Sequence, residues 1–168
     1  MRFFKVFAAL AILAILSGCG SSKFRTYRGP EVTMVHVDKG QRIMRLLHND
    51  KVLKTYRFDL GFAPVGHKEF EGDGKTPEGV YFIDRRNPDS KYHLSLGISY
   101  PNEADVAYAL SQGKKPGGDI FIHGQGPLYA NMKNRRPDWT WGCISVSDDE
   151  IEEIYSMIRT GTRIVITP

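Results

Sequence analysis

One stretch decides both the fold and the chemistry of this chain: Asp138-Trp139-Thr140-Trp141-Gly142-Cys143-Ile144-Ser145. Its Cys143 is the only cysteine that remains once the amino-terminal segment is set aside. Further upstream, the run Asp119-Ile120-Phe121-Ile122-His123-Gly124 has the pattern of a buried strand that ends at a histidine. A thiol and an imidazole are the minimum requirement for thiolate catalysis. The two segments therefore predict that Cys143 and His123 form a catalytic pair.

The position of Cys143 predicts a thiol with a lowered pKa. Ser147 and Glu150 have the spacing of a capping box that opens a helix, so the cysteine lies near the positive end of a helix dipole. With an imidazolium nearby, such sites lower a cysteine pKa from about 8.5 to roughly 3.5–7.5. Gly142 can adopt backbone angles closed to other residues. We expect the amide N–H groups of Gly142 and Cys143 to face a developing oxyanion, where one donor stabilises the transition state by ~3–4 kcal/mol.

Short strands separated by turns predict a mostly β domain. Residues 31–38, 42–48 and 52–60 are rich in apolar side chains, and Asp38-Lys39-Gly40 and Asn49-Asp50-Lys51 are turn signals between them. This is the pattern of an antiparallel meander. Four later segments are also predicted as strands: 79–83, 92–100, 120–123 and 163–167.

Two helices are predicted, one packed and one minor. The packed helix opens at Ser147, ends before Gly161 and carries an apolar stripe of Ile151, Ile154, Tyr155 and Ile158. The minor helix runs from Glu103 to about Ser111 and is capped by Asn102. Residues 124–141 are predicted to form a long loop over the site.

Residues 1–18 are interpreted as a lipoprotein signal peptide. Arg2 and Lys5 precede an apolar segment, Val6 to Leu16, that is too short to span a bilayer comfortably. The next residues, Leu16-Ser17-Gly18-Cys19, resemble the bacterial signal in which the cysteine is lipidated. Several acyl chains would anchor the protein firmly, because each buried methylene contributes about 0.8 kcal/mol. The alternative is an ordinary secretory signal that is cleaved nearby, with Cys19 incidental.

The expected organisation is a lipidated Cys19, a polar tether to residue 29, and one domain over residues 30–168. We expect a membrane-anchored protein of the bacterial cell envelope that faces the periplasm, and Gly20 favours the outer membrane. If Cys19 carries lipid, Cys143 has no disulfide partner within the chain. An unpaired thiol in an oxidising compartment indicates a reactive role or an intermolecular bridge.

Composition and charge exclude several classes of function. With 41% hydrophobic and 25% charged residues, the chain can bury a core. The leader holds two of the 23 basic residues and none of the 19 acidic ones, so the net charge falls from +4 to +2, too mild to indicate nucleic acid. No zinc-type spacing and no phosphate or dinucleotide loop occurs, so we expect no metal and no cofactor. The oligomeric state has no sequence signature.

The order of the motifs resembles the L,D-transpeptidase catalytic domain of the YkuD type. That family's motif is a histidine followed, after a variable gap, by Ser/Thr-X-Gly-Cys and an apolar residue. Here it is Ile122-His123-Gly124 and then Thr140-Trp141-Gly142-Cys143-Ile144. The segment Gly74-Lys75-Thr76-Pro77-Glu78-Gly79-Val80-Tyr81 and the closing Gly161-Thr162-Arg163-Ile164-Val165-Ile166 also match. The resemblance extends from about Thr33 to the end of the chain.

The resemblance implies a β-sandwich-like sheet with a helix beside the catalytic loop, and an enzyme that acts on peptidoglycan stem peptides. Cys143 would attack the carbonyl on the L-centre of the third-position diamino acid. The terminal D-alanine would leave, and an amine would resolve the thioester acyl-enzyme. His123 would be the general base and later the acid. The backbone amides of Gly142, Cys143 and Trp141 would form the oxyanion hole.

Two departures from the family motif concern the substrate. Trp141 and Ser145 stand where many members have His and Arg, so position 145 brings no positive charge. The family's usual substrate contact is therefore in doubt. The residues expected to line the substrate site are Gly124, His93, Trp139 and Ser145.

Two alternatives stay open. A hydrolase on the same scaffold could act as an L,D-carboxypeptidase, or as an amidase on crosslinks or wall-protein links. It would differ only in whether water or an amine reaches the thioester. The other alternative is a catalytically idle wall-binding lipoprotein. Such a binder needs no unpaired thiol, so the intact His123, Gly142 and Cys143 argue against it.

Overall fold

The computed structural model describes residues 22–132 and 134–168. The proposed signal peptide and the lipidation site Cys19 lie outside the described residues. The lipid anchor, the domain boundaries and the envelope location therefore stay predictions. Within the described part of the chain, no helix is long and apolar enough to cross a membrane.

Eight strands in the described residues form one curled sheet, which confirms the predicted mostly β fold. Their order across the sheet is β3-β2-β1-β8-β4-β5-β6-β7. Neighbours are antiparallel except for β1 with β8 and β6 with β7, which are parallel. The strand bounds are β1 Met34–Asp38, β2 Ile43–His48, β3 Lys51–Arg57, β4 Gly79–Asn87, β5 Ser95–Ile98, β6 Phe121–His123, β7 Ile144–Ser145 and β8 Arg163–Thr167.

The predicted meander is present, but its third strand ends at Arg57 rather than at residue 60. The chain beyond β3 pairs instead with the opposite end of the sheet. Asp59 and Ser145 exchange two backbone hydrogen bonds, with N···O distances of 2.9 and 2.8 Å, and the Thr140 amide donates to the Leu60 carbonyl at 3.0 Å. These bonds hold residues 59–61 against the segment that carries Cys143.

Three helices occur in the described residues, one more than predicted. They are α1 Glu103–Ser111, α2 Gly126–Tyr129 and α3 Asp148–Met157. The predicted capping box of Ser147 with Glu150 forms, and the predicted cap Asn102 also makes a capping box, with Asp105. The additional helix, α2, is a single turn within the segment predicted as a loop. Pro127 lies in its first turn, where the missing N–H leaves no hydrogen bond unmade.

Helix α3 covers the part of the sheet that carries the site. Its predicted apolar stripe is buried, with Ile151, Ile154 and Ile158 fully inaccessible. The helix packs on β5 and β6, and all four residues of β5 are buried. Each aliphatic side chain buried in this way contributes about 1.5–3 kcal/mol. The short strand β6, which ends at His123, is therefore fixed by the core.

Candidate active site

His123 and Cys143 line one cleft of about 420 Å³. His123 is the last residue of β6, and Cys143 directly precedes β7. These strands are parallel neighbours, and Ile122 and His123 pair with Ile144 and Ser145. The pairing of β6 with β7 thus brings to the same cleft two residues that lie twenty positions apart in the sequence.

A backbone carbonyl orients the His123 ring. Nδ1 lies 2.5 Å from the Gly124 carbonyl oxygen, so we assign the proton to Nδ1 and leave the lone pair of Nε2 free to accept one. Tyr92 stacks on the ring at 4.5 Å between centroids, and Trp139 meets it edge-on at 5.8 Å. Burial lowers the pKa of His123, because an enclosed imidazolium loses its hydration. His123 is therefore a neutral base at pH 7.

Asp148 fixes the loop that carries this carbonyl. Its Oδ1 accepts hydrogen bonds from the amides of Gln125 at 2.6 Å and Gly126 at 2.9 Å. The approach is so close that a Cβ at Gly124 would lie 2.5 Å from the same oxygen and 2.8 Å from the Tyr92 carbonyl oxygen. Only glycine fits there. The first turn of α3 thus positions His123 through the backbone of residues 124–126.

The Cys143 thiol is protonated in this state. Its sulfur donates to the Asp119 carbonyl at 3.5 Å. Burial raises the pKa of the thiol to about 11, against an opposing hydrogen bond from the backbone of Phe121. The expectation of a lowered pKa is therefore wrong for the resting site. Two expected sources of positive charge do not act on the thiol. The first turn of α3 holds three carboxylates of its own, and the neutral His123 brings no positive charge.

Gly142 has the unusual backbone that the sequence predicts. Its φ is +125°, and a Cβ at this position would lie 2.6 Å from the Lys75 carbonyl oxygen. The Thr140 hydroxyl donates to the Cys143 carbonyl at 2.7 Å and accepts from the Gly142 amide at 3.2 Å. Among the described residues, the amides of Cys143 and Trp141 have no protein acceptor. Of the three expected oxyanion donors, these two are free and the Gly142 amide is engaged.

The comparison with known families decides the identity of the domain. The family model described as the YkuD L,D-transpeptidase catalytic domain matches residues 33–166. The chain belongs to the YkuD family. This is a family of peptidoglycan enzymes of the L,D-transpeptidase type, and the mostly β fold with α3 beside the Cys143 segment agrees with it.

Three proteins that are similar to this YkuD domain share about a quarter of its sequence and are longer than this chain. The Escherichia coli K12 protein YafK, a candidate L,D-transpeptidase, is 28% identical over 120 residues, which is 70% of this chain and 42% of YafK. A Bacillus licheniformis YkuD protein is 28% identical over 134 residues, 80% of this chain and 65% of that protein. The helical cell shape determining protein Pgp2 from Campylobacter jejuni superposes with a TM-score of 0.63 at 26% identity, covering 88% of this chain and 51% of Pgp2. The chain thus spans less than two thirds of each.

The structure does not bring the four residues that were expected to line the substrate site of this YkuD domain to one place. Trp139 contacts His123 and stacks on Tyr129 at 4.2 Å. His93 lies away from the cleft, because its Nε2 is 2.8 Å from the Glu152 carboxylate on α3. Gly124 serves the site through its carbonyl group. Ser145 is buried and lines a second cavity.

Two contacts within the site had no recognisable sequence signal. Tyr92 stacks on His123 from the loop before β5, and Asp119 receives the thiol hydrogen bond. Both contacts depend on tertiary placement, which spacing does not encode. Asp148 had a signal of another kind, because an acid in the first turn of a helix is typical of dipole stabilisation. In the described residues, no group of three or more His, Cys, Asp or Glu side chains could hold a metal ion.

Alkylation of Cys143 should report its protonation state. Only the thiolate reacts, and the pKa of the thiol is about 11. We therefore expect the rate with iodoacetamide to rise about tenfold per pH unit from about pH 7 to pH 10 with no plateau. Peptide mapping by mass spectrometry measures the rate at Cys143 alone. The urea-unfolded protein is the control and should level off above about pH 8.5. A plateau between pH 6 and 9 in the folded protein would mean a preformed thiolate–imidazolium pair.

Replacing Asp148 with alanine should slow the enzyme by loosening the loop that orients His123. Two hydrogen bonds to a carboxylate are lost, so the free energy of unfolding should fall by roughly 2 kcal/mol and kcat by about tenfold, with KM nearly unchanged. Asp148→Asn keeps an acceptor oxygen and should restore most of the rate. Urea unfolding and steady-state kinetics measure both effects. If the alanine variant is destabilised but turns over at the normal kcat, Asp148 does not position His123.

Proposed function

We propose that the protein is a peptidoglycan-modifying cysteine enzyme, an L,D-transpeptidase that acts on stem peptides through a thioester acyl-enzyme. The observation that carries the proposal is the cleft that Cys143 shares with a neutral, carbonyl-oriented His123. A domain of the YkuD family surrounds this cleft. A thiol near a base whose Nε2 is free to accept a proton is suited to nucleophilic attack on an amide.

Acylation starts from the neutral pair. Nε2 of His123 takes the thiol proton as the Cys143 sulfur attacks the carbonyl on the L-centre of the third-position diamino acid. The oxyanion that forms accepts hydrogen bonds from the free amides of Cys143 and Trp141. His123 then gives the proton to the nitrogen of the departing D-alanine as that C–N bond breaks. A thioester on Cys143 remains.

Deacylation repeats these roles with a different nucleophile. An amine of a second stem peptide attacks the thioester, and His123 takes its proton. The carbon–sulfur bond breaks, and the proton returns to the sulfur. The product is a new peptide crosslink and a free thiol. If water replaces the amine, the same steps give hydrolysis, and the enzyme is an L,D-carboxypeptidase or a wall amidase.

The setting that we propose is the bacterial cell envelope, with Cys19 lipidated and the domain facing the periplasm at the outer membrane. The support is the sequence Leu16-Ser17-Gly18-Cys19 after an apolar segment. Because Pgp2 of Campylobacter jejuni is a helical cell shape determining protein, we extend the proposal to a role in cell shape. Metabolic labelling with palmitate should mark the wild-type protein and leave Cys19→Ala unlabelled. Equal labelling of the two would contradict the anchor.

The proposed reaction is tested by incubating the protein with disaccharide-tetrapeptide and with crosslinked wall fragments, followed by mass spectrometry. Loss of D-alanine together with new crosslinks is the expected result. Hydrolysis products without new crosslinks would assign the hydrolase instead. No change in any substrate would favour the non-catalytic wall-binding protein.

A further inference from the structure

We propose that a second cavity, beside Ser145, binds a carboxylate group of the peptide substrate. The proposal rests on the stem-peptide activity proposed above and adds a recognition site to it. The cavity has a volume of about 350 Å³ and lies between the end of β3, strand β7 and the first turn of α3. It shares no lining residue with the cleft of Cys143.

A buried hydroxyl without a partner marks this cavity as a polar site. Ser145 is 2% exposed, and its Oγ has no hydrogen-bond partner in the described part of the chain. The backbone amide and carbonyl of Ser145 are both bonded to Asp59. Native proteins rarely leave a buried polar group without a hydrogen bond, because this lowers the free energy of unfolding by about 1–3 kcal/mol. The hydroxyl is therefore an unpaired donor in the wall of the cavity.

The charges around the cavity favour an anion. Three arginines line it, Arg42, Arg57 and Arg135, against the carboxylates of Asp59 and Glu150. Asp59 is already paired with Arg135 at 3.0 Å. The Glu150 carboxylate accepts from the Ser147 amide and hydroxyl in the helix cap.

Arg57 is the guanidinium left to bind a ligand. Arg42 pairs with Asp138 at 2.6 Å, outside the cavity lining. Arg57 is exposed at the rim, and no carboxylate of the described residues lies within ion-pair distance of it. A planar guanidinium binds a carboxylate through two parallel hydrogen bonds. Arg57 and Ser145 together thus offer donors suited to one carboxylate.

The cavity lies within reach of a peptide held at the nucleophile. Cys143 and His123 line the cleft, and Ser145 and Gln125, each two residues further along the chain, line the cavity. Two residues of extended chain span roughly 7 Å. A substrate whose attacked carbonyl lies at Cys143 can place a carboxylate one or two residues away in the cavity. The positive charge that position 145 lacks is then supplied by arginines of other segments.

The test uses the full-length protein and synthetic tetrapeptides in which each carboxylate is converted in turn to the amide. For the free-acid peptide, Arg57→Gln and Ser145→Ala should each raise KM, Arg57→Gln by at least about tenfold, while kcat stays within about threefold. One of the amidated peptides should bind the wild-type protein as weakly as the free-acid peptide binds Arg57→Gln. The position of its amide identifies the carboxylate that is recognised. Arg163→Gln, an exposed arginine on β8, is the matched control and should leave KM unchanged.

Binding to Cys143→Ala, followed by tryptophan fluorescence, separates this proposal from the proposed reaction. The proposal is supported if Cys143→Ala binds the free-acid peptide more tightly than one of the amides and if this difference disappears when Arg57→Gln is added. This result would support the cavity even if the wild-type protein turns over no peptide. Equal affinity for every amide, or no effect of Arg57→Gln and Ser145→Ala, would overturn it. The cavity would then be a water-filled space.

Discussion

Replacing Cys143 with serine should lower kcat for stem peptides by at least about 10⁴-fold while the fold is kept. Among the described residues that line the cleft with His123, Cys143 carries the only thiol. Burial lowers the pKa of His123, which makes it a weak base. A weak base can deprotonate a thiol far more readily than an alcohol, so a serine at this position stays protonated and unreactive.

The fold should tolerate this change, because a serine hydroxyl can replace the thiol in its long hydrogen bond of 3.5 Å to the Asp119 carbonyl. Circular dichroism and the thermal midpoint should therefore match those of the wild type. Release of D-alanine from a tetrapeptide, followed by mass spectrometry, measures the rate. Cys19→Ser is the control for a lost thiol and should keep full activity in detergent. Wild-type activity in Cys143→Ser would refute the mechanism.

Replacing His123 with glutamine should reduce kcat by about 10³–10⁴-fold. Glutamine offers no group that takes up a proton near neutral pH, so the thiol must lose its proton to water. The matched control is His93→Gln. That histidine precedes β5, and its Nε2 lies 2.8 Å from the Glu152 carboxylate on α3. Its loss removes one partly exposed contact with a carboxylate, worth about 0–1 kcal/mol, and should leave kcat unchanged.

The His123 variant also distinguishes two kinds of base. A general base that removes the proton only during attack does not change the protonation state of the thiol in the resting enzyme. Alkylation of Cys143 in His123→Gln should then proceed within about threefold of the wild-type rate at pH 8. A fall of about a hundredfold would show that an imidazolium already holds a thiolate in the resting enzyme, which contradicts the lowered pKa of His123.

Features coded by neighbouring residues could be predicted from the sequence. The capping boxes at Asn102 and Ser147 depend on residues three positions apart, and both helices begin where these boxes place them. The unusual φ of Gly142 follows from a glycine beside the nucleophile. The strand that ends at His123 follows from its apolar run.

Features that depend on tertiary contacts could not be predicted. Residues 58–60 alternate like a strand, but they leave β3 to pair with the segment around Ser145. Cys143 is near a helix start in sequence, yet burial dominates its pKa, and burial is not visible in a motif. The positioning role of Asp148 requires the loop of residues 124–126 to fold back onto α3.

The central claim is that Cys143 itself carries the acyl group. The most direct measurement is to mix the protein with tetrapeptide, quench the reaction in acid, and determine the intact mass and the modified peptide. The account predicts a mass increase equal to the tetrapeptide less D-alanine and located on Cys143, with one free D-alanine for each adduct. An adduct on another residue, or release of D-alanine that persists in Cys143→Ser, would contradict it.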